Sequence, residues 1–157
     1  MTDGFLPEKQ QPPSGICVYT HNSNPVTEKA LEPHSPICKT LRGKVKQYVV
    51  TNGVTAIQTR KLSLSGFADM MDGFFISEQI GVPKPHKEFF DYCLNQIPEK
   101  DKTKILIVGD SLTSDIKGGI GAGIPTCWYR KNGTINSSGL HPDFEISNLN
   151  QVFEILQ

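Results

Sequence analysis

Short apolar runs alternate along this chain with stretches in which apolar residues recur at helical spacing. The runs are Val45–Val50, Gly73–Ile76, Ile105–Val108, Thr126–Tyr129 and Asp143–Ile146. Ile105–Val108 is unbroken and aliphatic throughout, the pattern of a strand buried on both faces of a parallel sheet. Between the runs, Val54–Ser65 reads as a helix that Gly66 is placed to stop. His86–Ile97 reads as a helix with Phe89, Phe90, Cys93, Leu94 and Ile97 on one face. Ser77–Pro85, in which Lys84 stands between two prolines, reads as a loop. After Ile105–Val108, Gly109 and Asp110 close the strand, Ser111–Ser114 offer N-caps, and Ile116, Ile120 and Ile124 follow at helical spacing. Leu149–Leu156 makes a final helix. Strands alternating with helices in this way predict an α/β fold, a three-layer sandwich whose parallel, Rossmann-like sheet is covered on both faces.

The first residues follow a different pattern. Met1–Pro36 carries prolines at positions 7, 12, 13, 25, 33 and 36 and little periodicity, so residues 1–44 are expected to form an irregular or poorly ordered segment ahead of a core domain at 45–157. Two features stand out within it. Ser35, Pro36 and the residues to Leu41 look like an N-cap, a first-turn proline and a short helix ending near Gly43. Ile16–Tyr19 is the one apolar run and is long enough for a short strand.

Composition narrows the functional classes. The chain has 157 residues, the size of one ordinary domain, and 16 basic side chains balance 16 acidic ones. No global charge draws it to nucleic acid or to an anionic membrane, so any charged ligand must be held locally. No apolar run approaches a membrane span and the amino terminus is not signal-like, so a cytoplasmic protein is expected. Cys17, Cys38, Cys93 and Cys127 are scattered without a C-x-x-C, which points to buried free thiols rather than zinc or a disulfide framework. The sequons at Asn132 and Asn136 would carry no sugar there. No feature of the sequence sets an oligomeric state.

The candidate chemistry sits at the ends of the predicted strands. In open α/β sheets, ligands bind at the carboxyl ends of the strands. Thr51, Asn52 and Gly53 follow one run and offer a hydroxyl, an amide and backbone N–H groups suited to phosphate oxygens. Lys84 offers a compact positive charge, and Asp110 and Asp115 are paired carboxylates in an oxygen-rich loop suited to Mg²⁺, which takes one or two carboxylates and completes its shell with water and phosphate. Phosphoryl transfer needs these parts, because its catalysis is mostly positioning and stabilisation of spread negative charge. Each has an ordinary alternative: a turn at Thr51–Gly53, a solvated Lys84, and a strand end and helix first turn for the two Asp residues.

Taken together, TNG at Thr51–Gly53, GVPKPHKEFFDY at Gly81–Tyr92 and IVGDSLTSDIKGGIGAGIPTCWY at Ile107–Tyr129 resemble the haloacid dehalogenase-like (HAD) superfamily of phosphatases over residues 45–157. The SEQIGVPKP loop at Ser77–Pro85 and the TCWY strand look most like its pyrimidine-type 5′-nucleotidase branch. The resemblance implies a HAD-like core and a Mg²⁺-dependent phosphate monoester hydrolase acting on a small phosphorylated substrate, a nucleoside monophosphate. It implies that Thr51, Asn52 and Gly53 bind the phosphoryl group and that Lys84 is the catalytic residue neutralising it. Asp110 would ligate Mg²⁺, with Asp115 holding the metal's water shell or Lys84.

One departure is large. Family members begin with a strand ending in Asp-x-Asp-x-Thr, which supplies the nucleophile and the general acid; here Ile16–Tyr19 runs into Thr20, His21 and Asn22. The about 25 residues between Tyr19 and Val45 suffice for a crossover helix but not for the family's cap as well. The core is therefore expected to be incomplete at the N-terminus, and the alternative function is a catalytically silent, truncated domain without the Asp nucleophile. If Ile16–Tyr19 fills the slot of the missing central strand, Thr20–Asn22 stand where the nucleophile loop belongs. Gly109–Leu112 also spells the signature of the GDSL esterases, but that chemistry needs an Asp-x-x-His, and no Asp here has a His three residues later.

Overall fold

The computed structural model describes residues 16–21, 35–64, 66–131 and 133–156. Six parallel strands form one sheet in the order β3-β2-β1-β4-β5-β6. In chain order the elements are β1 (Ile16–His21), α1 (Ser35–Leu41), β2 (Lys46–Thr51), α2 (Thr55–Leu64), β3 (Gly73–Ile76), α3 (Ser77–Ile80), α4 (Lys87–Gln96), β4 (Ile105–Gly109), α5 (Lys117–Ala122), β5 (Thr126–Tyr129), β6 (Phe144–Ile146) and α6 (Val152–Ile155).

Ile16–His21 is the central strand. Its residues Ile16 to Tyr19 pair with Lys46 to Val49 of β2 on one side and with Ile105 to Val108 of β4 on the other. The physical reason is the cost of the alternative: without β1, the facing edges of β2 and β4 would bury unpaired backbone groups at about 1–3 kcal/mol each. The α/β unit thus begins upstream of the boundary expected at residue 45, and α1 stands in the chain between β1 and β2 as the connection parallel strands require. The remainder of the segment expected to be irregular lies outside the described residues.

Strand residues alternate between two cores, which is what makes the fold three-layered. Val49, Leu106 and Val108 face a cluster with Ile37, Cys38 and Leu41 of α1, Leu62 of α2 and Val152 of α6. Tyr48, Val50, Ile105 and Ile107 face the other way, onto Phe89, Phe90 and Cys93 of α4 and Ala122 of α5. Burying each such side chain contributes about 1.5–3 kcal/mol. Cys38, Cys93 and Cys127 are buried, and burial pushes the Cys93 and Cys127 thiols up to about 12. The Cys17 side chain and Asn132 lie outside the described residues. Among the described residues, no helix is long and apolar enough to cross a membrane.

Two local expectations change. Ser77–Ile80, read as loop, closes one helical turn that Gly81 ends in the left-handed region at φ 91°. Ile120, at helical spacing from Ile116 and Ile124, is 44% exposed while those two are buried. Between Ser111 and Lys117 the chain makes a widened, π-type turn, with Ile116 N–H donating to Ser111 O at 3.1 Å. The extra residue shifts the helical phase, so Gly118, Gly119 and Ala122 become the buried residues of α5. They must be small: a Cβ on Gly118 would lie 2.1 Å from Phe90, and one on Gly119 would lie 2.7 Å from Ile107 and Thr126. Gly118→Ala and Gly119→Ala should each destabilise by about 1–3 kcal/mol in urea denaturation. Gly121→Ala, with no atom near its Cβ position, should be neutral or stabilising by up to about 1 kcal/mol.

Candidate phosphate site at the carboxyl edge of the sheet

Sheet order reverses at β1, and the loops that follow β2, β3 and β4 meet at the carboxyl edge beside that reversal. Lys84 is the hub. Asn52, one residue past β2, grips its backbone from both sides: Lys84 N–H donates to Asn52 Oδ1 at 2.8 Å, and Asn52 Nδ2 donates to Lys84 O at 3.1 Å. Held there, the lysine side chain turns inward with 1% exposure. Its Nζ donates to Asp115 Oδ1 at 2.7 Å and to Val50 O at 3.3 Å.

Asp115 is wholly buried and is itself oriented. Its Oδ2 accepts from Ser111 N–H at 3.1 Å, and Ser114 Oγ donates to Oδ1 at 3.4 Å. The widened turn over Leu112–Ile116 carries the carboxylate to this position. Two opposite charges taken out of water are tolerable only with such complete hydrogen bonding, and breaking one side strands the other.

The Thr51–Gly53 loop is braced from the side of α3. Gly53 N–H donates to Ser77 Oγ at 3.0 Å, and Thr55 N–H donates to the Glu78 carboxylate. The Thr55 backbone and side-chain hydrogen bonds hold the Glu78 carboxyl below the usual carboxylate range. Thr51 is fully buried, with its Oγ1 donating to Asn52 O at 3.3 Å. Asp110 follows β4 directly. Trp128 Nε1, from the neighbouring β5, donates to its carbonyl at 3.0 Å, and Lys131 Nζ lies 2.9 Å from its Oδ2.

Thr51, Asn52, Gly53, Lys84, Asp110 and Asp115 therefore all lie at the carboxyl edge, and a bonded chain from Asn52 through Lys84 and Asp115 to Ser111 joins three loops. Ser77, Glu78, Trp128 and Lys131 have no site role in the sequence analysis, and Ser111 enters it only as an N-cap candidate, which it is. A Ser-Glu pair immediately after an apolar run was a usable signal for the first two; an exposed lysine in a polar stretch gives none.

The donors present match Mg²⁺ only as a one-carboxylate site. Asp110 keeps 19% side-chain exposure, whereas both Asp115 oxygens are engaged by protein donors. Among the described residues, no group of three His, Cys, Asp or Glu side chains gathers in a way that holds a metal. A single carboxylate suits Mg²⁺, which retains most of its water and leans on a substrate phosphate.

The model of the haloacid dehalogenase-like hydrolases matches residues 23–123, which include the Thr51 loop, Lys84 and the Asp110–Asp115 turn. The chain belongs to that family. Among curated HAD relatives, the pyrimidine 5′-nucleotidase YjjG of Escherichia coli is 40% identical over 116 residues, covering 74% of this chain and 52% of that protein. The pyrimidine 5′-nucleotidase PynA of Streptococcus pneumoniae is 40% identical over 109 residues, covering 69% and 46%. The crystal structure of the putative HAD-hydrolase YfnB from Bacillus subtilis, bound to magnesium, superposes with a TM-score of 0.77 at 37% identity, covering 80% of this chain and 55% of that one. The chain spans about half the length of these relatives.

Asp115→Ala leaves the Lys84 ammonium buried without its partner and should cost about 3–5 kcal/mol of stability. The measurement is the urea midpoint, and the double substitution Lys84→Met with Asp115→Leu should recover most of the loss.

Proposed function

We propose that this chain recognises the phosphoryl group of a nucleoside monophosphate and is built around the Mg²⁺-dependent hydrolysis of phosphate monoesters, as a HAD hydrolase of the 5′-nucleotidase type. The observation that carries this reading is the Lys84 ammonium, buried at 1% side-chain exposure yet fixed at the ligand edge of the sheet beside Thr51 and Asn52. A cation kept at such desolvation cost is a preformed counter-charge for an anion. Thr51 and Asn52 hold phosphoryl oxygens, Gly53 shapes the loop with its own N–H given to Ser77, and Lys84 neutralises the charge that spreads over them. Asp115 is assigned to Lys84 rather than to a direct metal bond, since both its oxygens are already engaged. Mg²⁺, held by Asp110, would supply further neutralisation of the phosphate when bound. The nucleotide substrate rests on the two pyrimidine 5′-nucleotidase relatives. The free, buried thiols of Cys93 and Cys127 suit a reducing compartment, the cytoplasm.

A specific observation favours a second reading, binding without turnover. β1 lies between β2 and β4 and ends on Tyr19, Thr20 and His21, with His21 in register with Thr51. None of those residue types is a carboxylate, and covalent phosphoryl transfer needs a nucleophile within reach of phosphorus.

Isothermal titration with a pyrimidine nucleoside monophosphate should show binding that Lys84→Ala weakens by about tenfold or more; no binding by the unaltered chain would overturn the proposal. On the second reading, phosphate release in the presence of Mg²⁺ stays at background. Turnover that Lys84→Ala abolishes would establish hydrolysis through another nucleophile and dismiss the silent reading.

Mg²⁺ itself should bind weakly, more tightly once phosphate is present, and not at all in Asp110→Ala. Trp128, the chain's one tryptophan and bonded to the Asp110 carbonyl, gives the fluorescence signal for that titration.

A further inference from the structure

Most buried polar side chains in this protein have a visible reason to be there. Gln47 Nε2 donates to Cys38 O at 3.0 Å, Thr126 Oγ1 donates to Asp143 Oδ2 at 3.1 Å, and Lys84 and Asp115 hold each other. Gln58, at 2% exposure, is the exception. Its backbone N–H donates to Val54 O at 3.0 Å, but its carboxamide has no hydrogen-bond partner among the described residues. A buried amide left unmade costs about 1–3 kcal/mol, so a native structure that retains one calls for a reason.

Its position supplies the reason. Gln58 is in the first turns of α2, a helix of ten residues, and helical side chains lean toward the N-terminus. The carboxamide thereby folds back over Gly53 of the Thr51–Gly53 loop. A Cβ on Gly53 would lie 2.6 Å from Gln58 Nε2 and 3.0 Å from its Cγ, so the third residue of the loop must be glycine to let this amide in. Two of the backbone donors here are already committed, Gly53 N–H to Ser77 and Thr55 N–H to Glu78, so a side-chain donor adds to what this helix N-terminus offers an anion.

We propose that Gln58 is a binding residue of the phosphate site, its carboxamide N–H donating to an oxygen of the bound phosphoryl group from the α2 side while Lys84 neutralises it from the other. This rests on the phosphate-binding reading above. It also accounts for the close fit of Gly53 against an amide that bonds to nothing else.

The test uses inorganic phosphate as the probe. Titration calorimetry should show Gln58→Leu binding phosphate about tenfold or more weakly than the unaltered chain, as expected for a lost hydrogen bond to a charged group. The same substitution should raise the thermal midpoint by a few degrees, roughly 2–8 °C, because the unpaired amide is gone; a merely structural glutamine would lower it. Gln58→Glu, of equal size, should also lose phosphate through like-charge repulsion. Independently of any variant, the Gln58 side-chain ¹⁵NH₂ resonances should shift on adding phosphate. Unchanged affinity in Gln58→Leu, or unmoved resonances, while Lys84→Ala still weakens binding, would overturn this assignment and leave the site itself standing. Failure of the unaltered chain to bind phosphate would overturn both.

Discussion

A lysine ammonium with almost no solvent contact must be answered from every side, and much of the architecture at the carboxyl edge follows from that demand. Asp115 supplies the opposite charge, Val50 a carbonyl, and Asn52 fixes the backbone from which the lysine side chain departs. Val50 and Asn52 come from the end of β2 and Asp115 from the loop after β4, while the lysine itself follows β3. The pair therefore sets the relative placement of the loops after β2, β3 and β4, and the anion site inherits its rigidity from an interaction whose own net energy is small. What the pair contributes is geometry rather than stability.

The β2 loop is held twice, once by Lys84 and once by the side chains of α3. Such bracing suits electrostatic stabilisation, which loses its value if the dipoles must reorganise when charge arrives. It also explains why the four residues of α3, too few to form a stable helix alone, fold as a turn here. Their Ser77 and Glu78 side chains satisfy N–H groups at the start of α2 that would otherwise lack partners.

The fold was largely legible because parallel strands buried on two faces leave an unmistakable mark: Ile105–Val108 could hardly be anything else. The candidate site was legible to the extent that its residues follow those runs directly, as Thr51 and Asp110 do. The pairing of Asp115 with Lys84 depended on a turn of unusual width, and no local pattern encodes that width. Ile120 shows the same limit, since regular helical phase placed it on the wrong side of α5. Gln58 was invisible for another reason: a glutamine in a helix is ordinary until its surroundings show that nothing meets it. β1 stood between these cases, apolar enough to be a strand yet identifiable as the central one only because its neighbours need a partner.

The widened turn at Leu112–Ile116 carries an evolutionary consequence. Deleting one residue there would restore regular helical hydrogen bonding and look harmless, or even favourable, in isolation. Each helical residue advances about 100° around the axis, however, so the deletion would swing Asp115 away from Lys84 while returning the isoleucines to regular phase. Chain length in this turn is thus under a constraint separate from residue identity. Substitutions at Leu112 or Thr113 leave the register intact, whereas a single insertion or deletion uncouples the third loop from the other two.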